Sequence, residues 1–417
     1  MVTTDLGAPS EPFRLRMLLD DGRYRSYTIQ IFALMCLMLV VAWLVDNTAH
    51  NLAAMGKDYS FSFLWAPAGY DINQRPIEYT SQMSHARAAL VGFLNAVILA
   101  LMSCVTATII GIFAGVLRLS NNWIVARLMT IYVELFRNIP ALLWILVFGA
   151  IMTEAVPAPN AFRGDHPSAS MIFGAIAVTN RGVYAPSPAL AADLGVIDLG
   201  FAQLSVGWLA IVAVVVLCLF LNRALVNRAE RAQSETGIRP KTWWKSIAVL
   251  LLLPLVLLWV LGFHWEYPAL RGLNFQGGVQ LRNALIAMWL GLSIYTGAFI
   301  AEIVRAGVLA ISKGQSEAAH ALGLRPGRTM RLVILPQALR VIMPPLISMY
   351  LDITKNTSLG LAVGYMDLRS TLGGITINQT GRELEGMTLM MLIYLLASLC
   401  ISGVMNLFNN SVKLKER

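Results

Sequence analysis

Apolar residues gather into long runs divided by shorter polar stretches. A membrane-crossing helix needs about 20 mostly apolar residues. On that measure the spans fall at 27–46, 88–118, 124–153, 206–222, 246–263, 282–310, 337–353 and 386–408. The run at 337–353 is short and contains Pro344 and Pro345, so it reads as a broken or kinked helix. Membrane interiors tolerate such a break where protein or water covers the freed backbone. Asn138-Ile139-Pro140 is expected to bend the span at 124–153. The fold class is therefore all-α: a polytopic membrane helix bundle of about eight transmembrane helices.

Composition supports the same class. Of 417 residues 57% are hydrophobic and 13% charged, with a mean hydropathy of +0.64. Ordinary globular chains carry about 25% charged residues. The net charge of +9 has no accompanying stripe of basic and aromatic residues, so nucleic acid is not its partner. Basic residues instead cluster in alternate loops. One set holds Arg14, Arg16, Arg23 and Arg25; Arg223, Arg228, Arg231, Arg239, Lys241 and Lys245; Lys313, Arg325, Arg328 and Arg331; and Lys413, Lys415 and Arg417. The opposite set is sparse, so the first set is expected to face the cytosol, with both termini on that side. Cys36, Cys104, Cys218 and Cys400 lie in apolar runs without CxxC spacing and read as inert packing residues. The first apolar run begins near Tyr27 with no small-residue cleavage site after it, so an uncleaved anchor is expected.

One polar stretch interrupts this pattern between two spans: GQSEAAHALGLRPGRTMRLVILP, from Gly314 to Pro336. Its charges, Glu317, His320, Arg325, Arg328 and Arg331, belong in water. Ser316 to Leu322 reads as a short helix, capped by Ser316, with Glu317 in its first turn. Gly323 is placed to end it in a left-handed turn, and Gly314 to let the chain leave the preceding helix sharply. A second basic segment climbs from Arg325 to Pro336, where the next membrane helix is expected to begin. Ala318 and Ala319 leave a flat face on which a partner can dock.

Glu317-Ala318-Ala319, Gly323 and Ile334-Leu335-Pro336 resemble the EAA loop of type-I ABC importer permeases. Ala301-Glu302-Ile303-Val304-Arg305-Ala306-Gly307, Gly314-Gln315, Leu335-Pro336-Gln337-Ala338, Lys355-Asn356-Thr357-Ser358-Leu359 and Tyr132-Val133-Glu134-Leu135-Phe136-Arg137-Asn138-Ile139-Pro140 resemble its polar amino-acid branch. Within that branch the likeness is to the general L-amino-acid permeases of Gram-negative bacteria. It covers about 88–154 and 282–408. The resemblance implies a transmembrane subunit of an ATP-driven, binding-protein-dependent importer in the bacterial inner membrane, moving L-amino acids by alternating access. Gly314, Gln315, Glu317, Ala318, Ala319, Gly323, Leu335 and Pro336 would form the ATPase-coupling element. Implied partners are an ATP-binding cassette subunit, a second permease (a different chain) and a periplasmic amino-acid-binding protein. This chain would hold no cofactor; ATP and Mg would sit on the partner ATPase. The organisation implied is a cytosolic segment at 1–26, a first helix and periplasmic loop at 27–87, the importer domain at 88–408 with an insert near 155–281, and a cytosolic tail at 409–417. The insert is read as an outer loop, two extra helices and a basic cytosolic hairpin.

Further polar residues are candidates for a substrate path, each with a plainer alternative. Glu134 and Arg137 share a helix face, either as a salt bridge or as the lining of a pathway. Glu302 and Arg305 are likewise three apart. Glu302 either binds a substrate amino group or simply pairs with Arg305. Lys355, Asn356 and Thr357 offer charge and hydrogen bonds to a zwitterion, or form a solvated outer loop. Gly111 and Gly115 make a GxxxG, for contact within the chain or across a permease pair. The chain has no GxxxxGK[ST], so it is not expected to bind ATP phosphates itself. It has no HExxH or other metal spacing. A proton-coupled secondary transporter is the alternative; it would favour inverted repeats, and none is seen.

Overall fold

Lipid offers no partner for backbone N–H and C=O groups, so the apolar runs must close their hydrogen bonds within helices. The computed structural model describes residues 22–54, 56, 58–164, 166–198, 203–238 and 240–412. Arg14, Arg16, Lys413, Lys415 and Arg417, with most of the expected terminal segments, and Arg239 lie outside the described residues. Contacts divide the chain into two units, residues 1–61 and 62–417. The first contains helix α1 (Gly22–Ala54), which extends past the predicted 27–46 and exposes Phe32, Leu39 and Trp43 alike. Its Thr28 and Thr48 hydroxyls donate back to the Tyr24 and Leu44 carbonyls, the usual way a hydroxyl is satisfied inside an apolar helix.

The second unit opens with a loop that folds onto the start of α2 (His85–Leu117): Ala68, Ile72 and Tyr79 are buried with Ala88 and Val91. Tyr79 donates to the Tyr70 carbonyl at 2.8 Å, and burial pushes its phenol up to about 12. There follow α3 (Trp123–Asn138) and α4 (Ala141–Ala150), the latter continued by a π-helical turn Ile151–Ala155. The expected bend is a break: α3 and α4 meet at 103°. Pro140 supplies no N–H, and Ile139 takes an extended conformation before it. Nevertheless the pair crosses. It tracks α7 (Asn283–Leu309) from Val133 beside Ala298 and Ala301, through Ile145 against Gly291, to the Met152 carbonyl, which accepts from Asn283 Nδ2 at 2.9 Å. With seven other helices long and apolar enough to cross, the described residues hold eight spans.

The insert supplies α5 (Val206–Thr236) and α6 (Trp243–Val260), which pack on each other. The insert was expected to bring an outer loop, two helices and a basic cytosolic hairpin; among the described residues the segments flanking α5 and α6 also carry nine short strands. These are β1 (Ala177–Thr179), β2 (Gly182–Ala185), β3 (Ser187–Leu190), β4 (Val196–Asp198), β5 (Gln203–Ser205), β6 (Phe263–Glu266), β7 (Ala269–Arg271), β8 (Asn274–Gln276) and β9 (Val279–Leu281). β1-β2-β9 form one antiparallel sheet; β3-β6, β4-β5 and β7-β8 are separate pairs. Segments of three or four residues are too short to show a strand period.

After α7 come α8 (Lys313–Ala321), α9 (Pro326–Val363), short helical turns over 368–380, and α10 (Glu383–Val412). Two expectations about α9 fail. It is not broken: it runs as continuous α-helix from Leu335 to Asn356 through Pro344 and Pro345, with Ile342, Met343, Leu346 and Ile347 beside them buried in the packed bundle. Nor does it begin at Pro336: it starts at Pro326, where a missing N–H costs nothing. Met330–Ile334 is a π-helical turn, with the Leu335 N–H bonded back to the Met330 carbonyl. That widening lies directly before Pro336, whose ring would crowd an ordinary turn.

The bundle is organised around α7. Gly111 and Gly115 of α2 face it so closely that an added Cβ would meet Ile300 at 2.5 Å and the Ala301 carbonyl at 2.7 Å. The GxxxG therefore serves contact within the chain.

Candidate functional site

The polar stretch folds as a tight hairpin between α7 and α9. α8 begins four residues earlier than its sequence suggests, with Ser312 in the N-cap position and no side-chain cap. Ser316 and Glu317 thus lie inside the helix, and Gly314 has ordinary helical backbone in its first turn. Gly323 fulfils its expected role. At φ +76° it lets its own N–H reach the His320 carbonyl (2.9 Å) and the Leu324 N–H reach Ala319 (3.1 Å). That pair of bonds is a Schellman close, satisfying carbonyls left open at the helix end. Ala319 faces inward and is buried, so only Ala318 of the two alanines is presented, together with Glu317 and Leu322. Leu322 is 82% exposed. Gln337 Nε2 donates to Gln315 Oε1 at 3.2 Å, tying α8 to α9 about three turns in from Pro326; Leu335 and Pro336 immediately precede Gln337.

Directly before the hairpin, Glu302 collects three arginines. Arg118, just past the end of α2, and Arg305 donate to its two carboxylate oxygens; Arg305 Nη2 lies 2.6 Å from Oε1. Arg137, in the last turn of α3, stands 3.9 Å away with its guanidinium 5.3 Å above the Phe299 ring. The pairing of Glu302 with Arg305 is present, but the Glu134–Arg137 pair is not. Glu134 instead accepts from Asn138 Nδ2, through its carbonyl at 2.8 Å and its carboxylate at 3.4 Å. Arg137 turns to Glu302 because that carboxylate is the half-buried negative charge where α2, α3 and α7 converge. Glu302 is thus enclosed by guanidinium groups.

Lys355 and Asn356 end the α-helical part of α9, and Thr357 opens its last 3₁₀ stretch, so none belongs to a solvated loop. Thr357 is fully buried and donates to the Thr354 carbonyl at 2.9 Å, which turns it away from exposed Lys355. Arg118 and Asp352 were missed by the sequence reading. Arg118 meets Glu302 across 184 positions, beyond any local spacing. Asp352 had a usable signal: it is the sole acidic residue of α9. A cavity of about 660 Å³ between α2, α9 and α10 is lined by Leu101, Cys104, Ile109, Cys400 and other apolar groups. Its lining suits lipid rather than a zwitterion.

Comparison with known proteins gives the arrangement its context. The family described as binding-protein-dependent transport system inner membrane component matches residues 242–414. The glutamate/glutamine/aspartate/asparagine transport system permease protein BztB of Rhodobacter capsulatus is 55% identical, over 98% of this chain and 98% of that protein. The general L-amino acid transport system permease protein AapQ of Rhizobium johnstonii is 40% identical, over 100% of this chain and 98% of its own length. Eight spans joined through a water-facing hairpin, and relatives alike from end to end, lead to one assignment: the chain belongs to the amino-acid ABC transporter permeases, the membrane components of binding-protein-dependent transport systems.

Proposed function

We propose that this permease converts ATP-driven closure of a separate cassette subunit into movement of L-amino acids, with α8 as the coupling helix. One observation carries the reading: a polar helix with an exposed, small-residue face is fixed between α7, the most buried span, and α9. Glu317, Ala318 and Leu322 offer the docking surface, Gly323 closes the helix, and Gln315 braces it through Gln337. Movement of α8 would pull on α7, and through Glu302 on the ends of α2 and α3. Coupling of this kind needs ATP to favour one of two global states, relayed by a rigid contact.

In this reading ATP and Mg are held by the partner subunit, and this chain carries no cofactor. A periplasmic binding protein delivers substrate, and a second, different permease completes the pathway. An even count of eight spans is consistent with both termini on one side, and the basic loops support the cytosolic face of a bacterial inner membrane as that side. The substrates include glutamate, glutamine, aspartate and asparagine, as the name of BztB suggests, within a wider L-amino-acid range like that in the name of AapQ. Neither relative is named as a proton-coupled carrier.

The test uses vesicles holding this chain, its co-purifying partners and the binding protein. Amino acid in the binding-protein compartment should stimulate ATP hydrolysis and uptake together. Gly323→Val puts a branched side chain at φ +76° and should lower uptake at least tenfold with the protein still in the membrane. Gly323→Asn, which tolerates that conformation, should retain most activity. Normal uptake by the valine variant would remove α8 from the coupling role.

A further inference from the structure

The connection between α5 and α6 carries a basic surface that neither the coupling hairpin nor the Glu302 cluster uses. Arg223, Arg228 and Arg231 of α5, Lys241 before α6 and Lys245 within it are all exposed. Among the described residues these five form no ion pair. The same stretch holds two acidic residues, Glu230 and Glu235, so its charge is positive overall. Trp243 and Trp244 stand beside it, 66% and 54% exposed, with Lys245 Nζ 5.3 Å from the centre of the Trp244 ring.

Helix lengths fix the depth of this surface. The hydrocarbon layer is about 30 Å thick, and headgroups bring the bilayer to about 40–45 Å. α6 has only 18 residues, about 27 Å of helix, so it must use its whole length to cross, and Trp243 and Trp244 are held at its edge. Indole rings favour that boundary. α5 has 31 residues and runs on: Arg223, Arg228 and Arg231 lie about 26, 33 and 38 Å along it from Val206. The five basic groups thus straddle the headgroup layer. α5 and α6 pack on each other and are otherwise almost bare, so their outer sides face the bilayer. A soluble acidic protein would have to reach down to these charges, whereas a lipid headgroup is already at their level. Clusters of about 4–8 Lys and Arg beside a membrane helix attract anionic lipid. α6 and α7 are successive spans, so this surface lies on the same side as α8.

We infer that the α5–α6 connection binds the headgroups of anionic phospholipids in the leaflet on the α8 side. The phosphate oxygens meet the guanidinium and ammonium groups, while Trp243 and Trp244 fix the depth. The insert then has a task apart from transport: it holds a pair of helices at a set level in a negatively charged membrane.

The experiment places the assembled transporter in vesicles of phosphatidylglycerol and phosphatidylcholine in equal amounts, with one of the two brominated to quench tryptophan fluorescence. Subtracting the signal of the Trp243→Phe/Trp244→Phe variant isolates these two rings. Brominated phosphatidylglycerol should quench them at least twofold more than brominated phosphatidylcholine. High salt should shrink that excess, which is read on the parent and needs no variant to fold. Arg228→Gln, Arg231→Gln, Lys241→Gln and Lys245→Gln together should bring the ratio close to one. Arg228→Lys, Arg231→Lys, Lys241→Arg and Lys245→Arg together should keep it. Equal quenching by the two lipids in the parent would overturn the inference. So would an excess that inorganic phosphate abolishes, which would make the surface a site for free phosphate. Loss of the cassette subunit from the glutamine variant with quenching unchanged would also overturn it, giving the charges to a protein partner.

Discussion

Helix α7 and the insert pair α5–α6 are both long and apolar enough to span a membrane, yet they occupy opposite environments. α7 has two thirds of its apolar window buried; α5 has 6% and α6 none. The difference lies in small residues. Gly291, Ser293, Gly297, Ala298, Ala301 and Gly307 let neighbouring helices come close to α7. α5 and α6 present Val212, Leu219, Phe220, Leu251, Val256 and Trp259 outward instead. Lipid is as apolar as leucine, so hydrophobicity drives a helix into the bilayer but not against another helix; close packing does that. Hydropathy identifies spans, and the distribution of small residues identifies the core.

The largest effect should come from filling a close contact with the α7 backbone. Gly115→Leu would force side-chain atoms against the Ala301 carbonyl and Val304, where even a Cβ finds 2.7 Å and 2.8 Å. We expect a loss of about 3 kcal/mol or more, seen as a lowered thermal midpoint and poor recovery in detergent. Val215→Leu on α5 is the control and should change stability by less than about 0.5 kcal/mol. Equal tolerance at both positions would break the comparison.

A smaller effect should follow Glu302→Gln. The variant keeps the shape but leaves Arg118, Arg137 and Arg305 facing one another around a neutral amide. Hydrogen bonds to charged groups are each worth about 1.5–3 kcal/mol. The site is partly exposed, so a net loss of about 2 kcal/mol is expected. Glu134→Gln should be close to neutral, because Glu134 makes only a local contact with Asn138. Thermal unfolding of the two variants in parallel sharpens the contrast between a residue that joins helices and one that does not.

What could be read beforehand follows the range over which each feature is determined. Gly323 was legible because a Schellman close is set within six residues. The spans were legible because hydropathy is a local sum. Ser316 misled because Ser312 offers an equal start four residues earlier, and the contact that fixes α8, Gln315 with Gln337, comes from α9. Pro344 and Pro345 misled as to a break, because their effect on the continuity of α9 depends on neighbours packed from α7 and α2. The Glu302 cluster was half legible: the i,i+3 partner Arg305 was visible, and Arg118 was not. The resemblance pointed to the hairpin stretch residue by residue, but its geometry came only from the fold.

The smallest effect on the bundle should come from removing the most sequence. Ala191 N–H bonds to the Gly262 carbonyl and Ala192 N–H to that of Leu261, each at 3.1 Å, so the chain enters and leaves the α5–α6 hairpin through one antiparallel pair, β3–β6. Deleting residues 193–260 and joining the ends with an Asn-Gly turn would close that pair as an ordinary hairpin. Two spans would be lost together, so every later helix would keep its orientation. The helices around α7 should then keep their thermal midpoint within about 3 °C, a shift that corresponds to about 1–2 kcal/mol for a large domain. Collapse of the bundle would show that α5–α6 supports the core despite its exposed faces. A stable bundle that no longer retains its partner subunits would give those faces their role: apolar surfaces held out for another membrane protein.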